Sequence, residues 1–379
     1  KVVTIAYLVF FSILGTLARL GIQAITVYPG APLVTGVAWA NAAGCLVMGF
    51  LAEDRRLFAT DGEDGKKGKK GKKGGSSASN SAMTSASTSA SHNKEMGASS
   101  TSTGKQPATA PPKKAIPLYV GLTTGFCGSL TSFSSLMRDA FLALSNDLPS
   151  PLNHPYPPGA VLPSMTSTVH RAPEKGLAAL LAVILTTMAL SIAALQMGAH
   201  GALGVEKWMP RAHPRLRKVL NIGIVPVATL AWIGAVLMAI FPPHKAWRGD
   251  ALFACVFAPA GCLARWYVSG ALNGVRPSFP LGTFAVNVFG TVGLGVLLDL
   301  QRTGTAGSGV GCQVWQGVMD GGCGCLTTVS TFVAELSGLR RGHAWGYGLA
   351  TVVSGVAVAV GVMGGVRWGV GWGEGVCRV

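Results

Sequence analysis

What this 379-residue chain lacks most is charge: Asp, Glu, Lys and Arg make up only 12% of it, and acidic residues number 15. A soluble domain carries about twice that charged fraction, which excludes an ordinary soluble enzyme or binding module. Its eight cysteines show no Cys-x-x-Cys spacing, so the usual zinc and dithiol readings fall away. Most of them sit in apolar segments, where a thiol acts as a small hydrophobe. Acidic residues are also missing from the middle of the apolar runs. Asp139, Asp299 and Glu335 lie toward the ends of theirs, and a proton relay is not evident. No triad, P-loop or zinc motif is present, which leaves an enzyme with almost no residues to stand on.

What the chain has is long hydrophobic runs, and 49% of it is hydrophobic. About 20 apolar residues cross a bilayer. Nine windows qualify, at 2–27, 33–52, 116–144, 175–197, 219–241, 251–272, 281–300, 314–339 and 345–368. The first run outlasts the apolar core of a cleavable signal peptide. The expectation is an all-α polytopic membrane protein.

The net charge of +16 invites a nucleic-acid reading, but its placement argues otherwise. The Lys-rich run at 66–73 has no interleaved aromatics and lies in a Gly, Ser, Ala, Thr and Lys stretch expected to be a disordered loop, about 60–114. A second irregular stretch, 146–173, is rich in proline. Putting 55–114 in the cytoplasm also puts 207–218, Arg276 and Arg340-Arg341 there. The opposite face keeps few basic residues, among them Arg171, Lys245, Arg248 and Arg302, a positive-inside pattern with the N-terminus inside and the C-terminus outside.

Three signatures occur twice, in the same order. Gly15-Thr16-Leu17-Ala18-Arg19 returns as Gly261-Cys262-Leu263-Ala264-Arg265. The 36–44 stretch, with Gly36 and Asn41, returns at 282–290 with Gly282 and Asn287. The 125–136 stretch returns at 322–332. The units are a first repeat at 1–199, a basic loop and linker helix at 200–249, and a second repeat at 250–379. With four spans per repeat, the single extra span inverts the second against the first.

The glycine clusters around Gly128 and Gly324 permit either close packing or a helix break, and freed carbonyls at a break can hold a hard cation. Asn41 and Asn287 match in place. Each offers two donors to an anion or an ordinary interhelical hydrogen bond. Arg19 and Arg265 match too, and a structural role is favoured over an anion attractor.

Together these residues resemble the Fluc/FEX family of fluoride channels, also called the CrcB family, and in particular its fused eukaryotic members. The resemblance covers both repeats. Gly282-Thr283 with Asn287 keeps the pattern of the second span, whereas the first repeat has Val37 in place of the threonine. It implies a structural sodium ion on backbone carbonyls of Gly128, Thr131, Gly324 and Thr327. It also implies an anion path lined by phenylalanine ring edges, each path taking one ring from each repeat. Phe133 and Phe332 then share one path, while Leu136 and Val329 stand where the other path has lost its rings. Tyr347, Thr351 and Ser354 form a polar stripe on the last span. The matching 176–182 stretch is nearly all Ala and Leu, with Thr186 and Thr187 the hydroxyls near mid-span.

The resemblance thus implies a monomeric, passive fluoride export channel of the plasma membrane, with one working pore and one vestigial pore. Its partners would be fluoride and the lipid bilayer, not nucleic acid, and sodium its one bound ion. The alternatives are a coupled transporter of another small solute and a non-conducting membrane scaffold.

Overall fold

In the computed structural model of the protein, residues 1–28, 31, 33, 35–58, 113–148, 150–151, 166–167, 172–210, 214–244, 247–303 and 309–373 are described. The Lys-rich run and almost all of the 60–114 loop, with most of the 146–173 stretch, lie outside these residues.

The regular elements among the described residues are helices, apart from a two-residue antiparallel pairing of Ser150–Pro151 with Thr166–Ser167. In chain order the helices are α1 (Val2–Thr26), α2 (Gly36–Glu53), α3 (117–130), α4 (Phe133–Leu144), α5 (Pro173–Gly204) and α6 (Pro214–Ile240). They continue as α7 (248–272), α8 (Leu281–Arg302), α9 (310–326), α10 (Ser330–Gly338) and α11 (Arg341–Gly369).

Six of these, α1, α2, α5, α6, α8 and α11, are long and apolar enough to cross a membrane. The other three expected spans differ for visible reasons. The windows at 116–144 and 314–339 are each broken in mid-course, into α3 with α4 and α9 with α10. The α7 helix carries Pro259 and the buried Arg265, which dilute its apolar character.

Neighbouring helices pack with definite directions. Leu8 clusters with Ala258 and Cys262, and Ile13 with Ala235 and Cys255. Moving up α1 therefore means moving down α7, although these helices carry the same first signature. Ala6 and Tyr7 cluster with Ile224 and Ala228, so α6 runs parallel to α1. One end of the bundle gathers basic residues. Arg56 donates to the Lys207 carbonyl at 3.1 Å, Arg217 to that of Leu57 at 2.8 Å, and Lys113 to that of Ala52 at 3.0 Å. At the opposite end Arg367 pairs with Asp147.

Six cysteines are buried and free, in line with their reading as small hydrophobes, whereas Cys312 is disulfide-bonded.

Candidate functional site

The two broken helices meet at the centre. The sequence left close packing or a break open at the glycines, and Gly125, Gly128, Gly321 and Gly324 remain helical, within or next to π-helical stretches at Gly121–Cys127 and Val318–Cys323. The backbone opens three residues later, at Thr131 (ψ 148°) and Thr327 (ψ 158°). Side chains supply the reason. Asn41 Oδ1 accepts from the Ser132 N–H at 2.9 Å and Nδ2 donates to its carbonyl at 3.5 Å. Asn287 does the same to Thr328, at 2.8 and 3.2 Å. Both carboxamides, wholly buried, thus occupy backbone groups that a continuous helix would pair for itself. The ordinary hydrogen-bonding role of these asparagines is the one the geometry displays.

Each break is also braced by the other repeat. The Thr131 hydroxyl accepts from the N–H groups of Val329 and Ser330, at 3.2 and 3.1 Å. Thr327 Oγ1 accepts from the Ser134 N–H at 3.1 Å. Arg265 donates to the carbonyls of Thr124 and Cys325, both at 2.8 Å, and Arg19 donates across to that of Asp320. These arginines, 1% and 2% exposed, do not snorkel. Each guanidinium lies on the glycine of the opposite repeat, Arg265 on Gly128 and Arg19 on Gly324, where a Cβ would collide with it. One nitrogen of each, Nη1, is buried with no hydrogen-bond partner among the described residues.

Phe133 and Phe332, both fully buried, lie edge to face with centroids 6.0 Å apart. Phe332 also meets Tyr347 edge-on at 5.2 Å, and Tyr347 meets Phe279 at 5.0 Å. The Tyr347 hydroxyl donates to Glu335 at 2.8 Å. Thr283 and Asn273 complete the cluster, donating to the same carboxylate at 2.7 and 3.1 Å. Sequence reasoning missed Glu335 and Asn273, because each alone reads as a polar residue near a helix end. Thr351 is buried and spends its hydroxyl on the Tyr347 carbonyl at 2.7 Å. Ser354 is half-buried, and it is Gly355, not Ser354, that abuts the Phe133 ring.

The matching place in the first repeat is built differently. Leu136 and Val329 are buried in the same central cluster as Phe133 and Phe332, while Ala140, Leu180 and Ile184 form a separate aliphatic cluster against which Val352 and Val356 of α11 also pack. Asp139, at the position corresponding to Glu335, is held by Arg138 at 2.9 Å instead of by hydroxyls.

One expectation needs correction. An acidic residue does sit in mid-helix: buried Asp320 lies within α9, inside the apolar window expected at 314–339. Gln316 holds its carboxylate at 2.7 Å.

Comparison with known proteins agrees with the repeat. The sequence model of the family described as CrcB-like protein, Camphor Resistance (CrcB), matches residues 6–152 and 252–366. "Fluoride export protein 1" of Neurospora crassa is 48% identical over 94% of this chain and 65% of its own length. The protein of the same name from Candida albicans is 33% identical over 90% of this chain and 74% of its own. "Fluoride-specific ion channel FluC" of Geotalea daltonii is 39% identical over 85 residues, 22% of this chain and 66% of that one. The chain thus spans about two thirds of the Neurospora relative. No solved structure matches.

Proposed function

The chain belongs to the CrcB-like family, which it matches through both halves, and from that premise we propose that it is a passive, fluoride-selective export channel. The observation that carries the reading is the buried edge-to-face pair of Phe133 and Phe332, one ring from each repeat. A ring edge carries partial positive charge, so an anion stripped of water can rest against it without a full countercharge. Arg19 and Arg265 add two positive charges that no carboxylate ion-pairs among the described residues. A narrow path with such groups replaces hydration for a small anion and gives selectivity. The proposed site is Phe133, Phe332, Tyr347, Thr351 and Ser354, with Asn41 and Asn287 holding the helix breaks beside it.

Only one path conducts in this reading. The Leu136 and Val329 side offers aliphatic side chains and an Arg138–Asp139 pair where the other offers rings and hydroxyls.

The proposed topology is nine spans in two inverted repeats, 1–199 and 250–379, joined by the linker region 200–249. The antiparallel packing of α1 and α7 supports inversion, and the basic residues gathered at one bundle end support a cytoplasmic N-terminus. We place the protein in the plasma membrane as a monomer. An inside-negative potential there drives an anion outward with about 2.3 kcal/mol per 100 mV.

The centre also fits the sodium ion. The last carbonyls of α3 and α9 have no helical partner beyond Thr131 and Thr327, and both negative helix ends meet in a buried place. Carbonyls of Gly128, Thr131, Gly324 and Thr327 would hold a hard cation. Bound there, it would neutralise both ends and stiffen the crossing.

A coupled carrier is the second reading, and the buried carboxylates favour it: Asp139, Asp299 and Asp320 lie inside helices. Each is held by a donor, Arg138, Trp372 and Gln316 respectively, which suits fixed structural charges better than a relay. Fluoride release from liposomes, read with a fluoride electrode against a chloride control, separates the readings. Fast passive fluoride release with little chloride is expected. Release only under a second imposed gradient would favour the carrier, and none at all a scaffold.

A further inference from the structure

Beyond Phe133, the groove between α4 and α11 continues along Gly355, Met137, Ala359 and Phe141. A Cβ on Gly355 would meet both the Phe133 ring and the Met137 sulfur, and a small apolar void follows, lined by Met137, Phe141, Val356, Ala359 and Val360 and, from the aliphatic cluster, by Ala140 and Leu180. The hydroxyls of Tyr347 and Thr351 do not extend this far. At the far end the chain turns back over the groove. Phe141, 1% exposed, is covered by two indoles, Trp368 at 5.7 Å and Trp372 at 5.8 Å.

Covering one phenylalanine does not account for the rest of the arrangement. Arg367 grips Asp147 through two hydrogen bonds, of 2.8 and 3.1 Å. Trp372 Nε1 donates to Asp299 at 2.9 Å, and the Arg302 guanidinium lies 5.8 Å from the Trp372 ring centre. The segment is therefore fastened to the first repeat at Asp147 and to α8 at Asp299 and Arg302. The Arg367–Asp147 pair is partly exposed, so water competes for it.

A π-helical stretch, Val360–Gly364, lies within α11 just before its last helical turn, Gly365–Gly369. Glycines follow at 365, 369, 371 and 373, and Gly371 has a φ of +88°, a conformation that favours glycine. A π-helical stretch beside glycines is where a helix changes direction at low cost. The last helix of the first repeat, α5, runs on unbroken to Gly204, so the device belongs to one repeat only.

We propose that residues 365–373 form a strap across the mouth of the conducting path, and that an anion must pass Trp368 and Trp372 to leave. The Arg367–Asp147 and Trp372–Asp299 contacts hold the strap closed, and the π-helical stretch is its hinge. This rests on the Phe133–Phe332 groove being the conducting path.

The test uses the full chain in liposomes with two readouts. One is the initial rate of fluoride release. The other is modification of an Ala359→Cys variant by a membrane-impermeant thiol reagent, with the unsubstituted chain as background. Trp372→Ala, and separately the milder latch variant Asp147→Asn, should speed fluoride release severalfold. Both should also make the Ala359→Cys thiol reactive from one side of the membrane. Adding Phe332→Ile should remove the gain in flux while leaving the gain in thiol reactivity. Release that is unchanged or slower in folded latch variants, with thiol reactivity unchanged, overturns the strap. Thiol reactivity reports on the strap even if the unsubstituted chain releases no fluoride, a result that would instead overturn the channel reading.

Discussion

Replacing Phe332 with Ile should slow transport in a protein that still folds, whereas replacing Leu136 with Ala should cost stability and spare transport. Phe332 is fully buried, edge to face with Phe133 at 6.0 Å and Tyr347 at 5.2 Å. Isoleucine fills most of that space, and losing two aromatic contacts of roughly 0.5–1.5 kcal/mol each leaves a folded protein. The anion, however, loses one of its two ring edges. Taking the anion's attraction to a ring edge as similar in size to that of a cation for a ring face, of order 1–2 kcal/mol, sets the scale. At 1.36 kcal/mol per factor of ten, that slows flux roughly 5- to 30-fold. Leu136 is 1% exposed, and Leu136→Ala opens a cavity costing about 2–5 kcal/mol. It lies on the aliphatic side, so flux per folded molecule should hold. The assay is initial fluoride release from liposomes, normalised to monodisperse protein, with thermal melting of both variants in detergent. Equal losses of flux, or a larger loss in Leu136→Ala, would refute the single-path reasoning.

Three further outcomes follow from the same geometry. Tyr347→Phe removes the hydroxyl that donates to Glu335 Oε2 and should slow fluoride release while lowering stability by roughly 1–3 kcal/mol; unchanged release would separate Tyr347 from the path. Asn287→Ala strips the Thr328 N–H of its acceptor and should lower the melting temperature by more than a surface substitution does, since a buried orphaned donor costs about 1–3 kcal/mol. Replacing sodium with a bulky organic cation should lower both melting temperature and flux, and Thr131→Ala should blunt that response; indifference of the unsubstituted chain to sodium would remove the central cation.

The repeat and the matched asparagines and arginines were legible because each is a local pattern that occurs twice, while the complementary phenylalanines were legible only through the family resemblance. Their partners were not legible. That Arg265 crosses to Thr124 and Thr131 reaches Ser330 depends on how two distant segments dock. The glycine clusters signalled something unusual, yet the break fell at Thr131 and Thr327, because the asparagines and the opposite repeat compete there for backbone groups. Asp320 was passed over although it lay inside the 314–339 window, because a mostly apolar run hides a single carboxylate. Glycine at 355 beside Phe133 was equally hidden, because a serine one residue earlier fits a hydroxyl stripe better on paper. The fold-back of Trp368 and Trp372 onto Phe141 joins ends of the chain more than 200 residues apart, and nothing local announces it.

Current through the purified chain in a planar bilayer, under opposed fluoride and chloride gradients with protons and sodium balanced, bears most directly on the central claim. A passive fluoride-selective path requires the current to reverse at the fluoride equilibrium potential and to vanish when fluoride is withdrawn. Reversal near the chloride potential, or flux that follows an imposed proton or sodium gradient, would contradict it.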